Sequence, residues 1–172
     1  EELFKKSDAI IIGEVTKTEI RNYRILLDNI NNETEDYNTA TIKVKDCLKG
    51  FLQADEEVKI IERGDGFTRI SKYVENSGGY LNKNDQVLLF ISRDEKYIEK
   101  FSQIYNGENM PYTYHYQGKY WIDDDKIISK IKSKTDSHNL FKDCKRVNDI
   151  KQLIKEISDK VKGDSTASEF YG

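Results

Sequence analysis

Long hydrophobic runs are the first thing this sequence lacks: no window approaches the roughly 18–20 apolar residues that span a bilayer. No stretch joins a charged start, an apolar centre and a small-residue end as a signal segment does. Charge of one sign is missing too. The 28 basic and 31 acidic residues leave a net charge of −3, so no basic field gathers phosphates and nucleic acid is not the favoured partner. Cysteine is scarce: Cys47 and Cys144 stand 97 positions apart, without zinc-finger or redox-motif spacing, which leaves a disulfide and two free thiols both open. His115 and His138 are the only histidines; His115 has no Ser, Cys or acidic partner at motif spacing, and no HExxH is present. Gly64-Asp65-Gly66 and Gly78-Gly79 lack both the Lys-Ser/Thr of a P-loop and the spacing of a dinucleotide fold, so they are turns. No catalytic residue, no metal site and no cofactor is assigned.

What is present is a series of short strand-like segments bounded by Gly, Asp and Asn. At 172 residues the chain fits one domain that buries its core without staples. Asp8 to Val15 is apolar on both faces, as in a central, doubly covered strand. Thr39 to Asp46 alternates, with Ala40, Ile42 and Val44 on one side and Thr41, Lys43 and Lys45 on the other. Glu57 to Glu62 and Gln86 to Ser92 follow as further strands, and Asn22 to Asn38 is polar enough to be a surface excursion. Ile10, Ile12, Ile42, Val44, Ile60, Leu88 and Phe90 are expected in one core.

Tyr112 to Tyr116 and Lys119 to Ile122 flank Gln117-Gly118, which predicts a tight hairpin, and a second turn is expected at Asp123-Asp124-Asp125. Three consecutive carboxylates point in different directions and lack the 12-residue spread of a calcium loop, so a solvated turn outweighs a cation site. Between Phe67 and Asn76 the period allows a short helix or an irregular lid. One long helix is expected from Val147 to Gly163. Its stripe is Val147, Ile150, Leu153, Ile154, Ile157 and Val161, with Asn148 as N-cap, a Glu156–Lys160 pair and Gly163 as the stop. The domain is thus drawn at 1–163, with 164–172 as a flexible tail.

Tyr112, Tyr114, Tyr116 and Trp121 are the candidate ligand-binding residues, because rings sharing one face of the hairpin make a platform for sugars, peptides or bases. The competing expectation is that they are core, since aromatic cross-strand pairs commonly stabilise sheets.

In order, Ser7-Asp8-Ala-Ile-Ile-Ile-Gly-Glu-Val15, Ile42-Lys-Val-Lys-Asp-Cys-Leu-Lys-Gly50, Glu57-Val-Lys-Ile-Ile61 and Leu81-Asn-Lys-Asn-Asp-Gln-Val-Leu-Leu-Phe-Ile91 resemble bacterial envelope proteins of the OB-barrel, netrin-module type, similar to the barrel of the tissue inhibitors of metalloproteinases. The resemblance covers about residues 7–128. It implies an exported, often lipid-anchored protein. The wealth of Lys, Ile, Asn and Tyr beside a single Pro fits an AT-rich bacterial genome. The inhibitors chelate a protease's zinc through an N-terminal cysteine; here position 1 is Glu and the nearest cysteine is Cys47, so that route does not carry over. The chain begins at Glu1 rather than Met, which predicts either a domain cut from a longer chain or a targeting segment removed from in front of it, with membrane attachment through that segment.

The expected fold is therefore mostly β with flanking α: an OB-like barrel of five or six strands with a C-terminal helix. The expected function is a non-catalytic, extracytoplasmic binding module, secreted or lipid-anchored, for a protein, peptide or glycan. The alternatives are an enzyme with its site near the 67–79 lid and His115, and a single-strand nucleic-acid OB module.

Overall fold

The computed structural model describes residues 1–26, 32–63, 79–93, 111–130 and 146–171, with side chains for all of these except 21–26, 32–37, 63, 115–117 and 164–171. Helix α1 (Glu2–Lys6) precedes β1 (Ala9–Leu26), β2 (Asn32–Lys49), β3 (Glu57–Arg63), β4 (Gln86–Ser92), β5 (Thr113–Asp123), β6 (Lys126–Ile128) and helix α2 (Val147–Tyr171). The strands form one antiparallel sheet in the order β3-β2-β1-β4-β5-β6.

β1 lies between β2 and β4, and its run of three isoleucines is buried on both sides. Alternation then divides the apolar residues into two layers rather than one. Ile42, Val44 and Ile60 join Ile11, Val15, Leu89, Ile91, Tyr114 and Trp121 on one face. Ile10, Ile12, Leu88 and Phe90 lie on the other, with Tyr120, Leu3 and Phe4 of α1, and Ile150 and Ile154 of α2. The single core expected from these strands is thus corrected: strands covered on both faces feed two cores, because successive side chains point to opposite sides.

The β1–β2 ladder carries register shifts at Ile10/Ile11, Ile12/Gly13 and Val15/Lys17. At Gly13 the strands come so close that a Cβ would sit 2.6 Å from Ile42 Cγ2 and 2.6 Å from the Lys43 carbonyl oxygen, so only glycine fits. Both strands continue well past their neighbours, since β1 pairs with β4 only over residues 9–14. Within the expected surface excursion at Asn22–Asn38, the described residues 22–26 and 32–38 continue this ladder, as far as Leu26 paired with Asn32.

Gln117-Gly118 is not a hairpin turn. β5 runs through it, and the register against β4 slips so that Ile91 faces Tyr114 while Leu89 faces Lys119. Between these pairs one residue of β4, Phe90, is opposed by four of β5, 115–118, which is an enlarged bulge. The turn at Asp124-Asp125 is as expected, with φ of 46° and 68° and exposed side chains, the doubly left-handed geometry of a two-residue hairpin.

α2 lays the expected stripe against the sheet, with Ile150 and Ile154 buried and Val147, Leu153, Ile157 and Val161 partly so. Its ends differ from expectation. Asn148 lies inside the helix, and the Asp149 carboxylate accepts from the Arg146 backbone N–H at 3.2 Å, as in one half of a capping box. Gly163 does not stop the helix, which continues to Tyr171; a mid-helix glycine costs only about 1 kcal/mol relative to alanine. Glu156 accepts from Gln152, and Lys160 pairs with Glu1 at 3.1 Å, tying α2 to the residue that precedes α1.

Candidate functional site

Two groups of polar side chains stand out, one sealed in the sheet's inner layer and one open at its surface. The sealed group begins with Glu62. Val58 and Ile60 face the inner core, and Glu62 continues their alternation, so the strand drives a carboxylate inward. The β5 bulge does the same for a cation: an ordinary strand puts residues five apart on opposite faces, but the slip places Tyr114 and Lys119 together. Lys119 and Glu62 are 0% and 1% exposed and pair at 2.9 Å.

Every polar atom of this group has a partner. Tyr114 Oη donates to Glu62 Oε2 at 2.6 Å and accepts from Lys119 Nζ at 3.0 Å. Lys119 also donates to the Gly79 carbonyl. Glu62 Oε1 accepts from Asn38 Nδ2 at 3.2 Å and from the Leu81 backbone N–H at 2.8 Å. The Lys119 ammonium sits 4.7 Å and 5.0 Å from the Tyr114 and Trp121 ring centroids. Burial pushes the Lys119 pKa below the ordinary lysine value, against the opposing pull of Glu62. A buried, fully bonded pair of this kind fixes geometry. It joins β2, β3, β5 and the Gly79–Leu81 segment.

The open group lines a cleft of about 450 Å³ formed by Thr16 and Lys17 of β1, Thr41 of β2, Leu52 and Glu56 of the β2–β3 connection, Glu57, Val58 and Lys59 of β3, Arg93 and Tyr112. The register puts Lys17, Thr41 and Lys59 in one row across three strands. Arg93 follows β4 directly. Its backbone N–H donates to Asp8 Oδ2 at 2.7 Å, and its guanidinium lies 4.5 Å from the Tyr112 ring centroid.

Two of the four candidate aromatics are buried rather than open at the surface. Tyr114 and Trp121 are 4% and 6% exposed. The indole N–H of Trp121 donates to Asp85 Oδ2 at 3.0 Å, and its ring is covered by Lys130 at 4.2 Å. The pair belongs to the core, as the competing expectation held, because the bulge turns both rings inward. Tyr112 is half-buried and lines the cleft. The side chains of Tyr116 and His115, the 67–78 part of the expected lid, His138 and Cys144 lie outside the described residues. Cys47 is partly buried, its Sγ donates to the Lys49 carbonyl at 3.0 Å, and it is in no disulfide among the described residues. Among the described residues, no three His, Cys, Asp or Glu side chains converge in a way that could hold a metal ion. No protein-family model matches this chain, and a search of curated proteins returns no match either.

Proposed function

We propose that this domain is a non-catalytic binding module with an OB-like, curled sheet, carried outside a bacterial cell as a secreted or lipid-anchored protein, with its ligand held in the cleft beside β3. The curl is supported by Tyr112, just ahead of β5. It accepts from Ile61 N–H at 2.9 Å and donates to the Lys59 carbonyl at 2.8 Å, in a parallel bridge to the far edge strand. A sheet that brings β5's lead-in against β3 approaches the Greek-key barrel whose second and third strands carry ligands in OB modules. Compartment rests on the netrin-module resemblance. No helix among the described residues is long and apolar enough to cross a membrane.

The observation that carries the binding role is the contrast in access. The Lys119–Glu62–Tyr114 group, which by composition resembles an acid–base site, is closed and saturated. Lys17, Glu57 and Arg93, which make no ion pair among the described residues, face the cleft. A cleft of this size falls in the range of about 300–1,000 Å³ that accepts small ligands.

The test is a ¹⁵N-HSQC titration of the domain with short peptides, neutral oligosaccharides and oligonucleotides. Peptide or glycan shifts at Thr41, Lys59 and Arg93 amides are expected. Oligonucleotide binding that weakens steeply with salt would instead identify the nucleic-acid module. Fractionating cells that make the full-length protein checks the compartment: it should leave the cytosol.

A further inference from the structure

Resting on that reading of the cleft, we propose that its ligand is a peptide bearing a carboxylate for Arg93 and Lys17 and a nearby cationic group for Glu57. Arg93 is the anchor. Its guanidinium lies over the Tyr112 ring, and no carboxylate pairs with it among the described residues. A guanidinium held by one face against an aromatic ring keeps its planar N–H fork for bidentate binding of a carboxylate, and the stacking lowers the entropy lost when that bond forms. The residue that carries the ring is anchored, because the Tyr112 backbone N–H and carbonyl both bond to β3.

Lys17 adds a second cation. It is exposed, has no ion pair among the described residues, and stands at one end of the row that Thr41 and Lys59 complete. Adjacent strands are about 4.8 Å apart, so the two lysines of this row are separated by roughly 10 Å at the backbone. Charge of the other sign lines the same cleft. Glu57 is exposed and has no ion-pair partner among the described residues, whereas Glu56 Oε2 is engaged by the Gln53 N–H at 2.9 Å.

This mixture decides the ligand class. A sulfated or phosphorylated polymer would bring repeated negative charge against Glu56 and Glu57 on a domain already at −3. A peptide with one acidic and one basic side chain satisfies both signs. It also offers apolar contact to Leu52, Val58 and Tyr112, the cleft's apolar wall.

The probes are the capped pentapeptides Ac-AEAKA-amide and Ac-AQAQA-amide and a heparin-derived tetrasaccharide, titrated into the ¹⁵N-labelled domain and its Arg93→Gln, Arg93→Lys and Glu57→Gln variants. The expected result is AEAKA binding at the cleft amides, weakened about tenfold by Arg93→Gln, the scale of one charge-assisted pair. Arg93→Lys should restore only part of it, because an ammonium cannot bind bidentately. Glu57→Gln should weaken AEAKA and strengthen the tetrasaccharide. Melting temperatures should match the parent throughout, which separates lost binding from lost fold.

Equal binding of AEAKA and AQAQA, no effect of Arg93→Gln, or tightest binding of the tetrasaccharide overturns the proposal and leaves the binding-module reading standing. AEAKA shifts centred elsewhere on the domain remove the cleft from both. No shifts with any of the three probes also overturn the proposal, and the wider titration above then decides the module reading alone.

Discussion

The sealed Lys119–Glu62 pair and the open Arg93–Lys17–Glu57 cleft use the same kinds of side chain for opposite ends. In the first, each charge has its counter-charge and its hydrogen bonds inside the protein, at 0% and 1% exposure. In the second, an arginine and a carboxylate face one cleft without ion-pair partners among the described residues. A buried ion is held in place by the cost of leaving it unpaired, whereas an exposed one has little internal reason for its position. Stability should therefore depend on the first group and be indifferent to the second.

The sharpest way to break this comparison is Glu62→Ala. It leaves the Lys119 ammonium in the core without its counter-charge, takes the carboxylate acceptor from Tyr114 Oη, Asn38 Nδ2 and the Leu81 N–H, and should destabilise the domain by about 3–5 kcal/mol in urea unfolding. In a double-mutant cycle with Lys119→Met, the double variant should lose clearly less than the sum of the singles. Additive losses would mean that the two charges do not depend on each other.

Leu88→Ala tests the other layer. Leu88 is fully buried against α2's face of the sheet, and truncation should cost about 2–5 kcal/mol. A parent-like melting curve would contradict the two-layer arrangement.

Alkaline pH sharpens the contrast further. Because the folded Lys119 has its pKa lowered, the unfolded chain holds more protons between that lowered value and the ordinary lysine pKa near 10.4. Its contribution to stability therefore rises with pH across that window. Tyr120 acts in the opposite sense: burial raises its pKa, so above about 10 the unfolded chain loses this proton first and stability falls. Subtracting the urea-unfolding pH profile of Lys119→Met from that of the parent should isolate the rising part; no difference in slope would remove Lys119 as its source.

The smallest effect should come from Arg93→Gln, within about 0.5 kcal/mol of the parent, as for an exposed side chain outside any core. A loss comparable to that of Glu62→Ala would make the cleft structural.

How far these two regions were legible differs for physical reasons. The doubly buried β1, the Asp124-Asp125 turn and the stripe of α2 follow from local pattern, since three isoleucines in a row, paired turn residues and a 3.6 period each carry their own signal. Gln117-Gly118 misled because a glycine inside a strand marks a bulge as readily as a turn, and only the pairing with β4 decides between them. Once that register slips, Tyr114 and Trp121 turn inward. Glu62 did leave a trace, as the third inward position after Val58 and Ile60. Its partner Lys119 left none, because its orientation is set by the bulge. The cleft draws on β1, β2, β3, the β2–β3 connection, Arg93 and Tyr112, and no local pattern brings Lys17, Lys59 and Arg93 together before the sheet does.

The most direct measurement is the ¹⁵N-HSQC map of the unmodified domain titrated with Ac-AEAKA-amide. The account predicts shifts concentrated at Thr16, Lys17, Thr41, Lys59 and Arg93, with the amides of Glu62, Gly79, Leu81 and Lys119 unmoved. Shifts centred on Glu62, Gly79 and Lys119, with the cleft silent, would contradict it, since the group described here as sealed would then be the one that meets the ligand.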